Sequence, residues 1–202
     1  MTAVLRSIRP LAAPAAPTDS DPDAFRLAMR QLASGVSIIT LGEGDARNGL
    51  TATSVSSLSA DPPTLIVCVN RSASLYARLT KGERIGVSVL AAGHTEYADA
   101  FAGRTALKGP ARFRDGRWKT TAGGASILAD AIAAFECEID ELVERGSHAI
   151  VIGRVLAAFA RPACGALIYW RGAYDQVGWS AEEISRAVGV TPVADTPRRS
   201  WG

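Results

Sequence analysis

The sequence predicts a mainly β protein, a small antiparallel barrel of about six strands with three short helices. Two observations support this prediction. Short apolar, β-branched runs recur along the chain with glycine or proline between most of them, and no helix long enough for a parallel crossover separates consecutive runs. Closing such strands into a barrel would remove the exposed edges that they would otherwise present.

The first predicted element is an amphipathic helix over residues 22–33. Asp21 can accept a hydrogen bond from an orphan backbone N–H, and Pro22 suits the first helical position. Apolar residues recur at helical spacing from Phe25 onward, and Gly35 is placed to end the helix.

The first strands are predicted as a hairpin over residues 36–40 and 50–55, with its turn at the two glycines of residues 42–45. The prolines of residues 61–63 end this segment because proline lacks a donor for the sheet ladder. The apolar run 64–69 is then expected to be a strand that is buried on both faces.

The middle of the chain is expected to mix short helices with single strands. Residues 75–79 and 95–101 are predicted to be helices, 85–90 a strand, and 103–125 a long loop with a weak strand at 111–113.

Three β-rich segments complete the domain, over residues 133–143, 148–160 and 166–170. Because only turns separate them, we expect them to pair in order as an antiparallel meander.

The 202 residues, 48% of them hydrophobic, fit one globular domain. We predict that it spans residues 21–178, after a disordered arm (1–20) and before a mobile or partner-dependent tail (179–202). The net charge of +2, with dispersed arginines, argues against nucleic-acid binding, and no apolar run is long enough to span a bilayer. No secretory signal pattern precedes the domain, so we expect a cytoplasmic protein without nucleic-acid or membrane partners.

The cysteines and histidines do not suit a metal site. Cys68, Cys137 and Cys164 lie far apart, and neither His94 nor His148 has a close histidine or cysteine partner in the sequence. We therefore expect reduced, packed thiols and no catalytic metal.

Two polar segments are candidates for ligand binding. Residues 49–54 combine small side chains with hydroxyl groups, so a flat ring could lie close to the backbone and accept hydrogen bonds. Residues 68–75 run from a strand through a loop with Ser72 and Ser74 into a predicted helix, whose free N–H groups suit a phosphate. The alternatives are an ordinary Thr/Ser-rich strand and serines that only cap the helix.

In this order, the two segments resemble those of the flavin reductase-like, FMN-binding split-barrel proteins, the reductase partners of two-component aromatic-hydroxylating monooxygenases. The resemblance runs from about Phe25 to Tyr174 and consists of an ordered set of short pieces. They are Phe25-Arg26, Ala33 to Val36, Gly49 to Ser54, Pro62-Pro63, Asn70 to Ser74, Val87 to Leu90, Phe101 to Gly103 and Tyr169 to Tyr174. The resemblance implies a six-stranded antiparallel Greek-key split β-barrel with a few short flanking helices, working as a homodimer.

The resemblance also implies that the two polar segments hold FMN or FAD through its isoalloxazine ring and its ribityl phosphate. Ala100 and Phe101 match the residues that close over the flavin in the family. The other residues that match its flavin-binding positions are Gly49, Leu50, Thr51, Thr53, Ser54, Cys68, Val69, Asn70, Ser72, Ser74 and Leu75.

A site for NADH or NADPH is implied as well. The family's Gly-Asp-His stretch falls on Gly146-Ser147-His148, where serine replaces the acid. The segment beside the nicotinamide nucleotide matches Tyr169, Trp170, Arg171 and Gly172. The alternatives are a strand-start histidine bonded to a carbonyl group and a Tyr-Trp pair that serves only the core.

The implied activity is NAD(P)H-dependent reduction of FMN or FAD by direct hydride transfer, after which the reduced flavin leaves for a separate flavin-dependent oxygenase. Because the cofactors carry the electrons, no catalytic acid–base pair is expected. The alternatives are an oxidase-like split-barrel flavoprotein with tightly held FMN, a non-catalytic flavin-binding module, and a β-barrel scaffold without a redox role.

Overall fold

The computed structural model describes residues 21–113, 115, 117–161 and 165–178, and within them the predicted mainly β, antiparallel fold is confirmed. The helices are α1 (Pro22–Met29) and α2 (Thr95–Phe101), with 3₁₀ turns at Gly44–Ala46, Tyr76–Arg78 and Gly109–Phe113. The strands are β1 (Ser34–Gly35), β2 (Ser37–Leu41), β3 (Asn48–Ala52), β4 (Ser56–Ala60), β5 (Pro63–Asn70), β6 (Arg84–Val89), β7 (Trp118–Thr120), β8 (Ser126–Leu128), β9 (Ala133–Arg145), β10 (His148–Ala160), β11 (Ala166–Trp170) and β12 (Ala173–Val177). The predicted arm, the predicted tail and Cys164 lie outside the described residues.

A seven-stranded antiparallel sheet, in the order β3-β2-β6-β9-β10-β5-β4, forms the body of the fold. The β9–β10 hairpin lies between β5 and β6, so the chain crosses over as it does in a Greek key. Side chains from distant strands of the sheet, including Ala52 of β3, Val67 of β5 and Ile139 of β9, share one buried cluster. The sheet therefore curves around a common core.

A second sheet of three strands, β1-β11-β12, lies beside the first. The expected meander is wrong in its last step, because β11 pairs with β1 and β12, whereas β10 pairs with β9 and β5. Backbone hydrogen bonds from Leu167 to Leu90 and from Leu90 to Val36 tie the small sheet to the barrel. Local sequence does not distinguish these pairings, since apolar strands of either sheet carry the same pattern.

Several boundaries differ from the sequence prediction. Asp21 caps α1 as expected, but the helix ends at Met29 rather than at residue 33, because the chain turns there to enter β1. The helix expected over 75–79 is a single 3₁₀ turn, and the strand expected at 111–113 is also a 3₁₀ turn. Strands β1, β4 and β12 and the short hairpin of β7 and β8 were not predicted, since these segments carry few β-branched residues.

Strand β5 is buried on one face only, which contradicts the expectation of burial on both. Val67 and Val69 face the core, whereas Cys68 and Asn70 are exposed. The prediction of packed thiols is thus wrong for Cys68. It holds for Cys137, where burial raises the thiol pKa to about 12.

His94 is a buried structural residue at the start of α2. Its Nδ1 accepts a hydrogen bond from the Ala91 N–H at 3.2 Å, and its Nε2 lies 3.4 Å from Oδ2 of Asp130. Burial lowers the pKa of the imidazole, which favours the neutral form. Within the described ranges, no group of three or more His, Cys, Asp or Glu side chains suits a metal ion. The helices described there are all too short or too polar to cross a membrane.

Candidate active site

An open cavity of about 510 Å³ lies between α1, the residues that follow β3, and the end of β11. This volume lies within the range of small-molecule sites. The cavity brings together Thr53 and Ser54, from the predicted flavin segment, with Tyr169 and Arg171, from the predicted nucleotide segment. The other lining residues are Phe25, Arg26, Met29, Arg30, Leu32 and Ser34.

The hydroxyl groups of the predicted flavin segment differ in their hydrogen-bond partners. Ser54 Oγ accepts a hydrogen bond from the Cys68 N–H at 3.0 Å and donates one to the Cys68 carbonyl at 3.1 Å. Thr51 Oγ1 donates to the Ala98 carbonyl at 2.7 Å and so fixes α2 on β3. Thr53 is exposed, and its hydroxyl has no partner among the described residues, which leaves it available to a ligand.

The loop after β5 is held by its own polar side chains. Asn70 Oδ1 accepts hydrogen bonds from the N–H and the Oγ of Ser72, both at 2.9 Å. Ser74 Oγ accepts one from Nδ2 of Asn48 at 3.1 Å. Because only a 3₁₀ turn follows, the predicted helix N-terminus is wrong, and a phosphate at this position would depend on the loop itself and its neighbours.

One of these neighbours is Arg112, to which no sequence motif points. Its Nη2 donates to Oδ1 of Asn48 at 2.6 Å and its Nη1 to the Gly49 carbonyl at 3.0 Å. Its Cζ lies 4.9 Å from the centre of the Phe101 ring. Burial lowers the pKa of the guanidinium, and no carboxylate among the described residues forms an ion pair with it. Arg112 is thus an uncompensated, partly buried cation beside the Ser74 loop.

His148 opens β10 directly opposite Asn70 of β5. Its imidazole is exposed, and Nδ1 lies 2.9 Å from Ser147 Oγ instead of contacting a carbonyl group. The Arg71 N–H donates to the Ser147 carbonyl at 2.9 Å, which joins the two turns. The structure therefore places the predicted nucleotide histidine next to the predicted flavin loop.

The turn between β11 and β12 is fastened to the end of α1. Trp170 Nε1 donates to the Gln31 carbonyl at 3.1 Å, and Arg171 donates through Nε to Gln31 Oε1 at 3.1 Å and through its N–H to the Arg30 carbonyl at 2.9 Å. Arg171 lies 4.3 Å from the Trp170 ring centre and has a left-handed φ of 54°, and the exposed Gly172 follows with φ of 86°. Trp170 therefore also binds the end of α1, so the Tyr-Trp pair is not only a part of the core.

Several predicted flavin residues face the core in this structure. The side chains of Val69, Leu75 and Ala100 are buried, and Leu50 packs against the barrel core. Phe101 packs on Phe113 and Trp118, with ring centres 5.0 and 5.2 Å away. The Phe101 ring fills the core beside Gly49, and the closure of residues 100 and 101 over a flavin stays a prediction.

Comparisons with known proteins identify the family of this chain. Residues 29–178 match the family model described as flavin reductase like domain. The chain is 39% identical over 160 residues to FMN reductase (NADH) RutF of Bradyrhizobium diazoefficiens. The alignment covers 79% of this chain and 88% of that protein. It is 42% identical over 149 residues to FMN reductase (NADH) RutF 1 of Methylorubrum extorquens, which covers 74% and 73%.

Solved structures give the same result. NADH:FAD oxidoreductase SgcE6 of Streptomyces globisporus C-1027, in complex with NAD and FAD fragments, superposes with a TM-score of 0.71 at 32% identity, covering 78% of this chain and 93% of that one. BorF, the flavin reductase component of a bacterial two-component tryptophan halogenase, gives a TM-score of 0.72 at 33% identity, covering 78% and 99%. From the sequence match over most of the domain and the shared fold, we conclude that the chain belongs to the flavin reductase like domain family.

Proposed function

We propose that this protein reduces FMN or FAD with NADH or NADPH and releases the reduced flavin to a separate flavin-dependent oxygenase. The proposal is carried by one observation: Thr53 and Ser54 line the same cavity as Tyr169 and Arg171. Relatives named FMN reductase (NADH) and NADH:FAD oxidoreductase support the two cofactor classes. A solved relative named as the flavin reductase component of a two-component halogenase supports a separate partner enzyme.

The residues present fit a flavin. Thr53 has a free hydroxyl for the polar edge of the ring, and Arg112 offers a cation for the phosphate beside Ser74. A bound flavin supplies the hydride acceptor of the reaction. The chain's part is to bind and orient the two cofactors, and its gain in rate comes from holding them at reacting distance.

The test of this proposal is anaerobic bleaching of flavin absorbance near 450 nm. We expect bleaching of FMN or FAD on addition of NADH or NADPH, and no bleaching when the nucleotide is left out. Flavin that binds but is never reduced by either nucleotide would favour the non-catalytic flavin-binding module instead. Flavin that copurifies and resists desalting would favour the oxidase-like alternative.

His148 is proposed to contact the nicotinamide nucleotide. Its exposed ring keeps Nε2 free among the described residues, so it can donate to a phosphate or carboxamide oxygen. We expect His148→Ala to raise the KM for NADH or NADPH about 5- to 10-fold, the low end for one lost hydrogen bond, since the ring is exposed. The kcat and the flavin Kd should stay near wild type.

Steady-state kinetics and a flavin titration of the same preparation check this prediction. If His148→Ala keeps its nucleotide KM and binds flavin poorly, the histidine supports the Asn70 loop, and the nucleotide contacts must be sought around Trp170 and Arg171.

A homodimer is also proposed. Away from the cavity, the chain exposes large apolar side chains that a second copy would cover, among them Leu58 (54% exposed), Leu156 (37%) and Phe159 (50%). A two-fold interface is the commonest arrangement for such a surface. Light scattering at micromolar concentration should give about twice the chain mass of 21.1 kDa, and a monomer would refute the proposal.

A further inference from the structure

We propose that the C-terminal end of α1 forms a phosphate-binding subsite in the cavity, in which Arg30, the residue directly after the helix, binds the pyrophosphate of a dinucleotide. We assign that dinucleotide to NAD(P)H. The inference rests on the proposed function, because it adds a specificity-determining residue to the same site. It concerns a helix that neither the motif pattern nor the resemblance places at the nucleotide.

The charge balance of the cavity supports this subsite. Three arginines line the cavity, Arg26, Arg30 and Arg171, and no acidic residue of the described ranges does. Arg26 is compensated, because its Nη1 lies 2.5 Å from Oδ1 of Asp23. Arg30 has no side-chain hydrogen bond or ion pair among the described residues, and Arg171 uses only Nε, on Gln31. Two uncompensated cations facing one cavity suit an anion that carries two charges, as a pyrophosphate does.

The flavin phosphate does not need these two arginines. Arg112 is held at Asn48 and Gly49 and does not line this cavity. It lies beside the Ser74 loop, where the flavin phosphate is proposed to bind. The α1 side of the cavity therefore has positive charge left over for a second phosphate group.

Apolar side chains on α1 and just after it fit the rest of such a ligand. Phe25, Met29 and Leu32 follow one another at spacings of four and three residues and line the cavity, and their side chains are exposed. Arg26 and Arg30 directly follow Phe25 and Met29 in the sequence, and both line the same cavity. An apolar stripe beside a cationic stripe matches a flat base joined to a charged pyrophosphate.

The position of Arg30 is fixed by the structure around it. The Arg30 carbonyl accepts the Arg171 N–H, and the next residue, Gln31, accepts hydrogen bonds from Trp170 and Arg171. These bonds attach the end of α1 to the segment that the family resemblance places beside the nicotinamide nucleotide. This adjacency is the reason for assigning the pyrophosphate to NAD(P)H rather than to FAD.

The kinetic test uses FMN as the flavin and compares NADH with reduced nicotinamide mononucleotide, which lacks the adenosine monophosphate half. We expect Arg30→Ala to raise the KM for NADH about 5- to 30-fold, as for one lost charge-assisted hydrogen bond at an exposed position. The KM for the mononucleotide and kcat with either donor should stay within about twofold of wild type, because the contact assigned to Arg30 is with the adenosine-side phosphate, which the mononucleotide lacks. Arg30→Lys should recover most of the loss. Lys81→Ala, which removes an exposed cation elsewhere, should change neither KM.

Equal increases in KM for NADH and for the mononucleotide, or no increase for NADH, would overturn the inference. A loss of FAD affinity with unchanged FMN affinity and unchanged NADH KM would also overturn it, by assigning the subsite to FAD. Calorimetric titration with NAD⁺ separates this inference from the proposed function, since it needs no turnover. Weaker NAD⁺ binding by Arg30→Ala supports the subsite even if the wild type never bleaches flavin, and equal binding refutes it even if the wild type is an active reductase.

Discussion

Replacing Arg112 with alanine is expected to weaken FMN binding about 10- to 100-fold, because hydrogen bonds to a charged group contribute about 1.5–3 kcal/mol each. Arg112 is held at Asn48 and Gly49 and has no carboxylate partner among the described residues, so its charge is available to a phosphate at the Ser74 loop. Riboflavin lacks the phosphate. Its affinity for Arg112→Ala should therefore stay within about threefold of wild type. Quenching of flavin fluorescence measures both values.

Arg47→Ala is the matched control for this experiment. The Arg47 guanidinium also lies over a ring of the same aromatic cluster, 4.9 Å from the Phe113 ring centre, but it donates to Gly44 rather than to Asn48. It should leave FMN affinity near wild type. Equal losses of FMN and riboflavin affinity in Arg112→Ala would contradict the phosphate role and show that Arg112 supports the barrel through its contact with Phe101.

Replacing Gly86 with alanine is expected to destabilise the protein by about 3 kcal/mol or more, because no space exists for a Cβ there. Gly86 lies in the middle of β6, and a Cβ would lie 2.5 Å from Oγ1 of Thr40 and in hard contact with the Ser126 carbonyl oxygen. The Thr40 hydroxyl is fully buried and donates to that same carbonyl, so neither neighbour can move away easily. Urea unfolding followed by circular dichroism measures the change in free energy of unfolding.

Gly93→Ala is the control for this prediction, since a Cβ at Gly93 would meet nothing within 4 Å. It should unfold within about 0.5 kcal/mol of wild type, as surface substitutions usually do. If Gly86→Ala were as stable as wild type, the β8 segment that carries Ser126 would have to shift outward without cost. The close packing of β2, β6 and β8 would then not contribute to stability.

Local signals in the sequence predicted those elements that depend on local chemistry. The Asp21 cap, the bounds of α2 and the start of β10 at His148 agree with the structure. Each of them follows from residues within a few positions of one another, such as a capping carboxylate or a glycine at a turn. The existence of these elements was therefore predictable.

The candidate site was only partly predictable. Thr53, Ser54, Tyr169 and Arg171 were singled out and do line one cavity, but Phe101 was expected at a ligand and lies in the core. The expected and observed positions of Phe101 differ because a strand or helix pattern predicts only which residues alternate in exposure. It does not predict which distant side chains pack on them. Phe101 is buried because Phe113 and Trp118, which lie outside its own helix, cover it.

By itself, the sequence determined the mainly β antiparallel class, most strand positions and the resemblance to a family of flavin reductases, because periodicity and short motifs are local properties of the chain. The tertiary structure alone decided that β11 joins β1 and β12, that the end of α1 is bound to the β11–β12 turn, and that Arg112 reaches Asn48 across 64 positions of sequence. These features depend on contacts between distant segments, which form only when the sheets curve and their cores close. For this reason only the folded chain shows that Arg30 lines the cavity beside Arg171 and that Arg112 lies beside the Ser74 loop.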